Sequence, residues 1–123
     1  MLFEDLDIAP QFKRALVKQG ITQLTPIQEK AIGPVTSGQD VIGIAPTGTG
    51  KTLAFVLPIL QALRFRDKPA VRAVILLPSK ELASQVYDVI QELTAESNLE
   101  SILLYGGVGR INQLNSNKNI TNT

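Results

Sequence analysis

The sequence predicts an α/β protein built on a phosphate-binding loop, with about three strands in a parallel sheet and helices on both of its faces. Two observations carry the prediction. Three apolar runs, 40–45, 73–77 and 101–105, alternate with stretches of helical periodicity. Strands that are apolar along their whole length are those a parallel sheet buries on both faces. The first run also leads into a glycine-bearing loop and then an apolar helix, the order in which a phosphate loop is built. Crossovers between such strands should be right-handed.

Each element has its own signal. The first helix is expected within 9–20, with Pro10 near its start and Gly20 just past its end, the usual asymmetry of helix termini. Phe12, Ala15, Leu16 and Gln19 share one face at helical spacing. A short second helix takes Thr25 as N-cap, Pro26 in its first turn and Ile27 to Ile32 as its body, and Gly33-Pro34 can end or bend it. Asp40 to Ala45 is the first strand and Pro46 to Gly50 the loop. Lys51 to Leu63 is apolar nearly all round, as a helix covered on most faces is, and Pro58 should kink it. Arg64 to Val71 is a polar connector, and Ala73 to Leu77 is the second strand. Ser79 to Glu96 is the clearest helix, with Leu82, Val86, Ile90 and Leu93 as its stripe. Ser101 to Tyr105 is the third strand, ending at Gly106-Gly107. Residues 115–123 are Asn-rich and aperiodic, so 1–114 is expected to fold and the tail to be disordered.

Composition excludes several chemistries. The chain has no Cys and no His. That removes disulfides, thiolate metal sites, histidine bases and histidine-ligated zinc. Hydrophobic residues make up 44% of the chain and charged residues 19%, so it can bury a core and does not read as disordered. The net charge of +1 neither demands nor excludes a nucleic-acid partner. No apolar run reaches the ~18 residues of a membrane span, and the first residues do not read as a signal peptide. A soluble, cytoplasmic protein is expected.

The loop carries the chemistry. Gly48-Thr49-Gly50-Lys51-Thr52 matches the end of the pattern G-x-x-x-x-G-K-[ST], with Ala45 in place of its first glycine. Backbone N–H groups of such a loop surround a phosphate, and the helix N-terminus adds partial positive charge. Lys51 would reach the β- and γ-phosphates, and the Thr52 hydroxyl would ligate Mg²⁺. These two are the candidate catalytic residues, with Thr52 the candidate metal ligand; Thr47, Gly48, Thr49 and Gly50 complete the phosphate contacts. The plainer alternative, glycines serving only a turn, leaves the Lys-Thr pair unexplained. Hydrolysis also needs a carboxylate at the end of another strand to hold the metal. After the loop the acidic residues are Asp67, Glu81, Asp88, Glu92, Glu96 and Glu100, and none ends an apolar run.

Four segments together resemble the DEAD-box RNA helicases of superfamily 2. Gly20-Ile21-Thr22-Gln23-Leu24-Thr25-Pro26-Ile27-Gln28, with Phe3 upstream, resembles their Q motif. Residues 45–52 match their motif I, which accounts for Ala45. Pro78 to Ala83 resembles motif Ia, and Gly106-Gly107 the GG motif. The wording of Leu24 to Ile32 is similar to that of bacterial members. The resemblance implies ATP and Mg²⁺ as cofactors, RNA as partner and ATP-dependent RNA unwinding by the full-length protein. Gln28 would read the adenine edge, Phe3 would pack on the adenine ring, and Thr25 belongs to the same site. Thr25-x-x-Gln28 is equally a capping box, and the two roles are compatible; for Phe3 the alternative is packing on the first helix. Pro78, Ser79 and Lys80 would meet the RNA backbone, as would Gly106 and Gly107. A solvated, capped first turn and a plain turn are the alternatives there.

The resemblance also implies what should follow. The Thr-Pro-Gly-Arg, Asp-Glu-Ala-Asp and Ser-Ala-Thr segments and a second RecA-like domain are not in this sequence. The expected fold is therefore an incomplete RecA-like sheet, from a helicase truncated before the DEAD motif or ending aberrantly. Such a chain is expected to be a monomer, marginally stable and prone to aggregate through unpaired strand edges. A nucleotide-binding fragment without turnover of its own is the alternative function.

Overall fold

The computed structural model describes residues 1–64 and 70–106 of the 123-residue chain. A 3₁₀ turn, Phe3–Asp5, precedes four helices: α1 (Pro10–Lys18), α2 (Pro26–Thr36), α3 (Lys51–Leu63) and α4 (Lys80–Leu93). Most of the connector 65–69, Gly107 and the Asn-rich tail lie outside the described residues.

The helices form where local chemistry allows. In α1, Phe12, Ala15 and Leu16 are buried, while Gln19 is exposed as the C-cap. Two prolines lie inside helices. α2 does not stop at Gly33-Pro34 but runs on to Thr36, and α3 continues through Pro58, whose ring is fully buried. A proline ring in a helix interior removes one backbone bond, and here packing supports the helix across the gap. α3 buries Ala54, Val56, Leu57, Pro58, Leu60 and Gln61. α4 ends at Leu93, short of Glu96, because the Thr94 hydroxyl donates to Ile90 O at 2.7 Å and Ser97 turns back on Thr94. Of its stripe, Val86 and Leu93 are buried, and Leu82 stays 42% exposed.

One apolar core joins these elements. Phe3, Ile8, Phe12, Leu16, Leu24, Ile32, Val56, Leu57, Leu60, Val86 and Leu93 are packed into it. The N-terminal segment is fastened at two ends. Phe3 N–H donates to Thr22 O at 2.9 Å and Leu24 N–H to Met1 O at 3.0 Å, around an antiparallel bridge between Leu2 and Gln23. Ala9 N–H donates to the buried Gln61 Oε1 at 2.8 Å, which ties the start of α1 to the far end of α3.

The expected sheet does not form a ladder among the described residues. The three apolar runs carry no strand assignment and show an uncovered side. Ile42 is 92% exposed, Ile44 90%, Val74 74% and Leu76 89%. Alternate residues are better covered: Ile75, Leu77 and Leu103 are half-buried, and Leu77 packs against the core. The helices therefore cover one side of this layer only. A parallel ladder holds well when both faces are buried, and here one face is bare. Among the described residues no helix is long and apolar enough to cross a membrane.

Candidate nucleotide-binding site

The site is built where two helix N-termini meet. α2 begins with Thr25 as N-cap and Pro26 in its first turn, which suits a position whose N–H has no intrahelical partner. Thr25 and Gln28 form a capping-box arrangement. Its well-formed half is the bond from Thr25 N–H to Gln28 Oε1 at 2.8 Å. Thr25 Oγ1 is buried and has no partner in hydrogen-bond geometry.

α3 begins at Lys51, and its N-cap is Gly50 in the left-handed region at φ 85°, ψ 24°. Gly48 is also left-handed, at φ 84°. L-residues adopt this region at a cost, and glycine does so freely, which is why the loop can wind back on itself here. The Thr49 hydroxyl donates to Pro46 O at 2.5 Å and closes the turn. The first bond of α3 runs from Ala54 N–H to Gly50 O at 3.3 Å. The preceding N–H groups of the helix have no carbonyl of their own to meet. Lys51 is exposed and Thr52 half-buried.

Gln28 joins the two N-termini. Its Nε2 donates to Gly50 O at 3.1 Å, and the side chain is buried, with the residue only 2% exposed. An amide has two N–H donors and an oxygen with two lone pairs. One of each is engaged, and one of each is left. Gly50 is packed tightly under this contact: a Cβ there would lie 2.4 Å from Gln28 Nε2 and 3.1 Å from Thr25 Oγ1.

The sequence-predicted residues fall into two groups. Thr25, Gln28 and Gly50 are brought into contact, and Thr47, Gly48, Thr49, Lys51 and Thr52 continue from them along the loop and into α3. Phe3 is 2% exposed and lies in the core with Leu24 and Phe12. Its ring therefore packs with the first helix and the segment around Leu24, and its backbone is bonded to Thr22. At α4, Ser79 Oγ accepts the Leu82 N–H at 3.2 Å as an N-cap, between exposed Pro78 and Lys80. Gly106 is exposed in a turn.

Two contacts were not foreseeable as site features. The Gln28–Gly50 bond links residues whose motifs are read separately in sequence. The Ala9–Gln61 bond had a faint signal: Gln61 is a polar residue in a helix apolar nearly all round, and a buried amide must find a partner. A shallow groove between α1 and α4, lined by Gln11, Lys18, Glu92 and Glu96 among others, shares no residue with the phosphate loop.

Comparison with known proteins places this arrangement. The DEAD/DEAH box helicase family matches residues 25–123. The ATP-dependent RNA helicase DBP10 of Candida albicans is 51% identical over 92 residues, covering 75% of this chain and 10% of the relative. The probable ATP-dependent RNA helicase ddx27 of Dictyostelium discoideum is 45% identical over 108 residues, covering 86% of this chain and 14% of the relative. The chain thus spans only a small part of the length of these relatives. A crystal structure of a DEAD box protein from Methanococcus jannaschii superposes with a TM-score of 0.86 at 31% identity, covering 94% of this chain and 32% of that one. The fold class is α/β on this likeness. The family match runs unbroken from the capped start of α2 through the loop and beyond α4, and the chain belongs to the DEAD/DEAH box helicase family.

Proposed function

We propose that this chain is the ATP- and RNA-binding portion of a DEAD-box RNA helicase, whose whole-protein activity is ATP-dependent RNA unwinding. The observation that carries the reading is the start of α3: a left-handed Gly50 capping a buried helix whose first residues are Lys51 and Thr52. Free N–H groups, a partial positive charge and an exposed lysine converge there, and a triphosphate is what they suit. Relatives named as ATP-dependent RNA helicases support it.

The geometry supports a role for each residue in this reading. Lys51 holds the terminal phosphates, and the residues 47–50 turn their backbone toward the others. The donor set fits Mg²⁺ in one respect: Thr52 offers a neutral hydroxyl on the first turn of α3, beside where the phosphates would lie. When bound, the ion neutralises charge on the phosphates. The unused N–H and lone pair of Gln28 match adenine's N7 and N6. Phe3 supports the base site through the segment 22–24 that its backbone holds. Pro78, Ser79, Lys80, Gly106 and Gly107 meet the RNA backbone, with Ser79 adding the N–H groups of a capped helix start.

The three extended apolar runs are, in this reading, neighbouring parallel strands of a RecA-like sheet, one face of which the described helices cover. The half-burial of alternate residues and the superposition on a DEAD box protein support it. A cytoplasmic location and a monomer that tends to associate through its bare apolar face accompany the reading.

Binding and turnover are tested separately. Lys51→Ala is expected to weaken ATP binding by roughly tenfold or more, the loss of a charge-assisted contact. Equal ATP affinity in the two proteins would sink the reading. Phosphate release with and without RNA then separates a complete enzyme from a binding fragment. The fragment reading is favoured by the lack of an acidic residue at the end of any apolar run after the loop. Release above background that Lys51→Ala abolishes would overturn it.

A further inference from the structure

We infer that Gln61 is a positioning residue for the base end of the nucleotide site, acting from the far end of α3. The inference rests on the reading of Gln28 and residues 45–52 as that site. It starts from an acceptor that α1 lacks. Ala9 is the N-cap of α1 and has no side-chain cap bond. In a capping box the third helical residue accepts the N–H of the cap. Here that residue is Phe12, whose ring is committed to the core. Gln61 supplies the acceptor from α3 instead. Its Oε1 takes the Ala9 N–H at 2.8 Å, and both residues are buried. The polar side chain of a helix apolar nearly all round thus serves another element.

What hangs from Ala9 is the base side of the site. Residues 1–8 run from Ala9 to the segment 22–24, where Phe3 N–H donates to Thr22 O at 2.9 Å and Leu24 N–H to Met1 O at 3.0 Å. Leu24 leads directly into Thr25, the cap of the helix that carries Gln28. Phe3, Ile8 and Phe12 share an apolar core with Val56, Leu57 and Leu60. Apolar packing is non-directional, so it holds the N-terminal segment on α3 without fixing its place along the helix. The Ala9–Gln61 bond is directional and sets that place. Gln61 lies ten residues beyond Lys51, about 15 Å along the axis. Its loss should therefore shift the base side and leave the phosphate end of α3 as it is.

Inorganic tripolyphosphate, which has no base, separates the two ends. Its binding and that of ATP are measured on the full chain for wild type and Gln61→Met, which has a similar volume and at most a weak acceptor. Both proteins are held at a temperature where circular dichroism shows each fully folded, so that a variant which is merely less stable keeps its affinity. Gln61→Met is expected to weaken ATP roughly two- to tenfold, the loss of one positioning hydrogen bond, and to bind tripolyphosphate as wild type does. Unchanged ATP affinity overturns the proposal. Equal weakening of both ligands also overturns it, because Gln61 would then act on α3 as a whole. Wild type that binds neither ligand fails the nucleotide-site reading, and the proposal with it. Linkage gives a second measurement that needs no variant and decides the question should Gln61→Met not fold. If the bond favours base binding, base binding favours the bond by the same factor. In wild type saturated with each ligand in turn, amide exchange at Ala9 should be slower with ATP than with tripolyphosphate, and equal exchange overturns the proposal.

Discussion

Two glycines in one loop make a controlled comparison. Gly48 and Gly50 have nearly the same left-handed backbone, at φ +84° and +85°. A Cβ on Gly48 would meet nothing within 4 Å, whereas one on Gly50 would lie 2.4 Å from Gln28 Nε2. Alanine at either position carries roughly 1–2 kcal/mol of left-handed strain, offset by about 0.4–1 kcal/mol from the stiffer unfolded chain. Gly48→Ala should therefore cost about 0.5–1 kcal/mol. Gly50→Ala must also push the buried Gln28 amide aside. That breaks its bond to Gly50 and strains the one to Thr25, each worth about 0.5–1.5 kcal/mol. The total is about 2–3 kcal/mol. Urea unfolding of the three proteins, followed by circular dichroism, measures the difference. Equal midpoints for the two variants would refute the reasoning, because strain alone would then account for both. Intermediate results have a clear meaning: they measure how far Gln28 can retreat while keeping Thr25.

The bare apolar layer and the Arg14–Glu96 pair give two further expectations. Leu76 is 89% exposed, so Leu76→Lys should shift stability by less than about 0.5 kcal/mol while raising the concentration at which the chain stays monomeric by light scattering; a large loss of stability would mean that Leu76 is covered in solution. Arg14 Nε donates to Glu96 Oε2 at 3.0 Å on the surface, and this hydrogen bond, with the charge behind it, holds the Glu96 carboxyl below its ordinary value. A folded-state value below the unfolded one means that the pair's contribution is present above the unfolded value and fades as pH falls through the folded one. The pair is exposed, so the contribution is small. In an NMR titration Arg14→Ala should return the Glu96 midpoint toward the usual carboxylate range, and an unmoved midpoint would assign the shift elsewhere.

The helices were legible because their signals are local. Pro10, Thr25, Ser79 and the apolar spacing of Phe12 and Leu16 each act within a turn or two of their own position. Pro34 does not end α2, because a helix interior can lose one bond when packing holds the rest, and α3 likewise runs on through the fully buried Pro58. The apolar runs, which form no ladder among the described residues, differ from the helices in kind. An apolar run such as Ala73 to Leu77 shows that a segment can be buried, not that a neighbour is present to bury it. Leu76 and Ile44 have the composition of covered strand residues and the exposure of a surface. In the site, the loop and the capping box were each visible in sequence, but their junction was not, because Gln28 and Gly50 are 22 residues apart.

That junction explains why the residue between the helices is an amide. Helix N-termini carry partial positive charge and unpaired N–H groups, and α2 and α3 bring two of them together at Thr25 and Gly50. A cation there would add to the charge and could not accept from Thr25. A carboxylate would accept from Thr25 N–H, yet it could not donate to Gly50, and its charge would occupy the positive field that a phosphate needs. A hydroxyl side chain is too short to span from the third residue of α2 to the cap of α3. Glutamine donates and accepts at once, reaches both backbones, and leaves the field of the two helix ends uncompensated. The arrangement is therefore neutral where it binds the protein together and positive where it opens to solvent, which is the division that a phosphate site at a helix start requires.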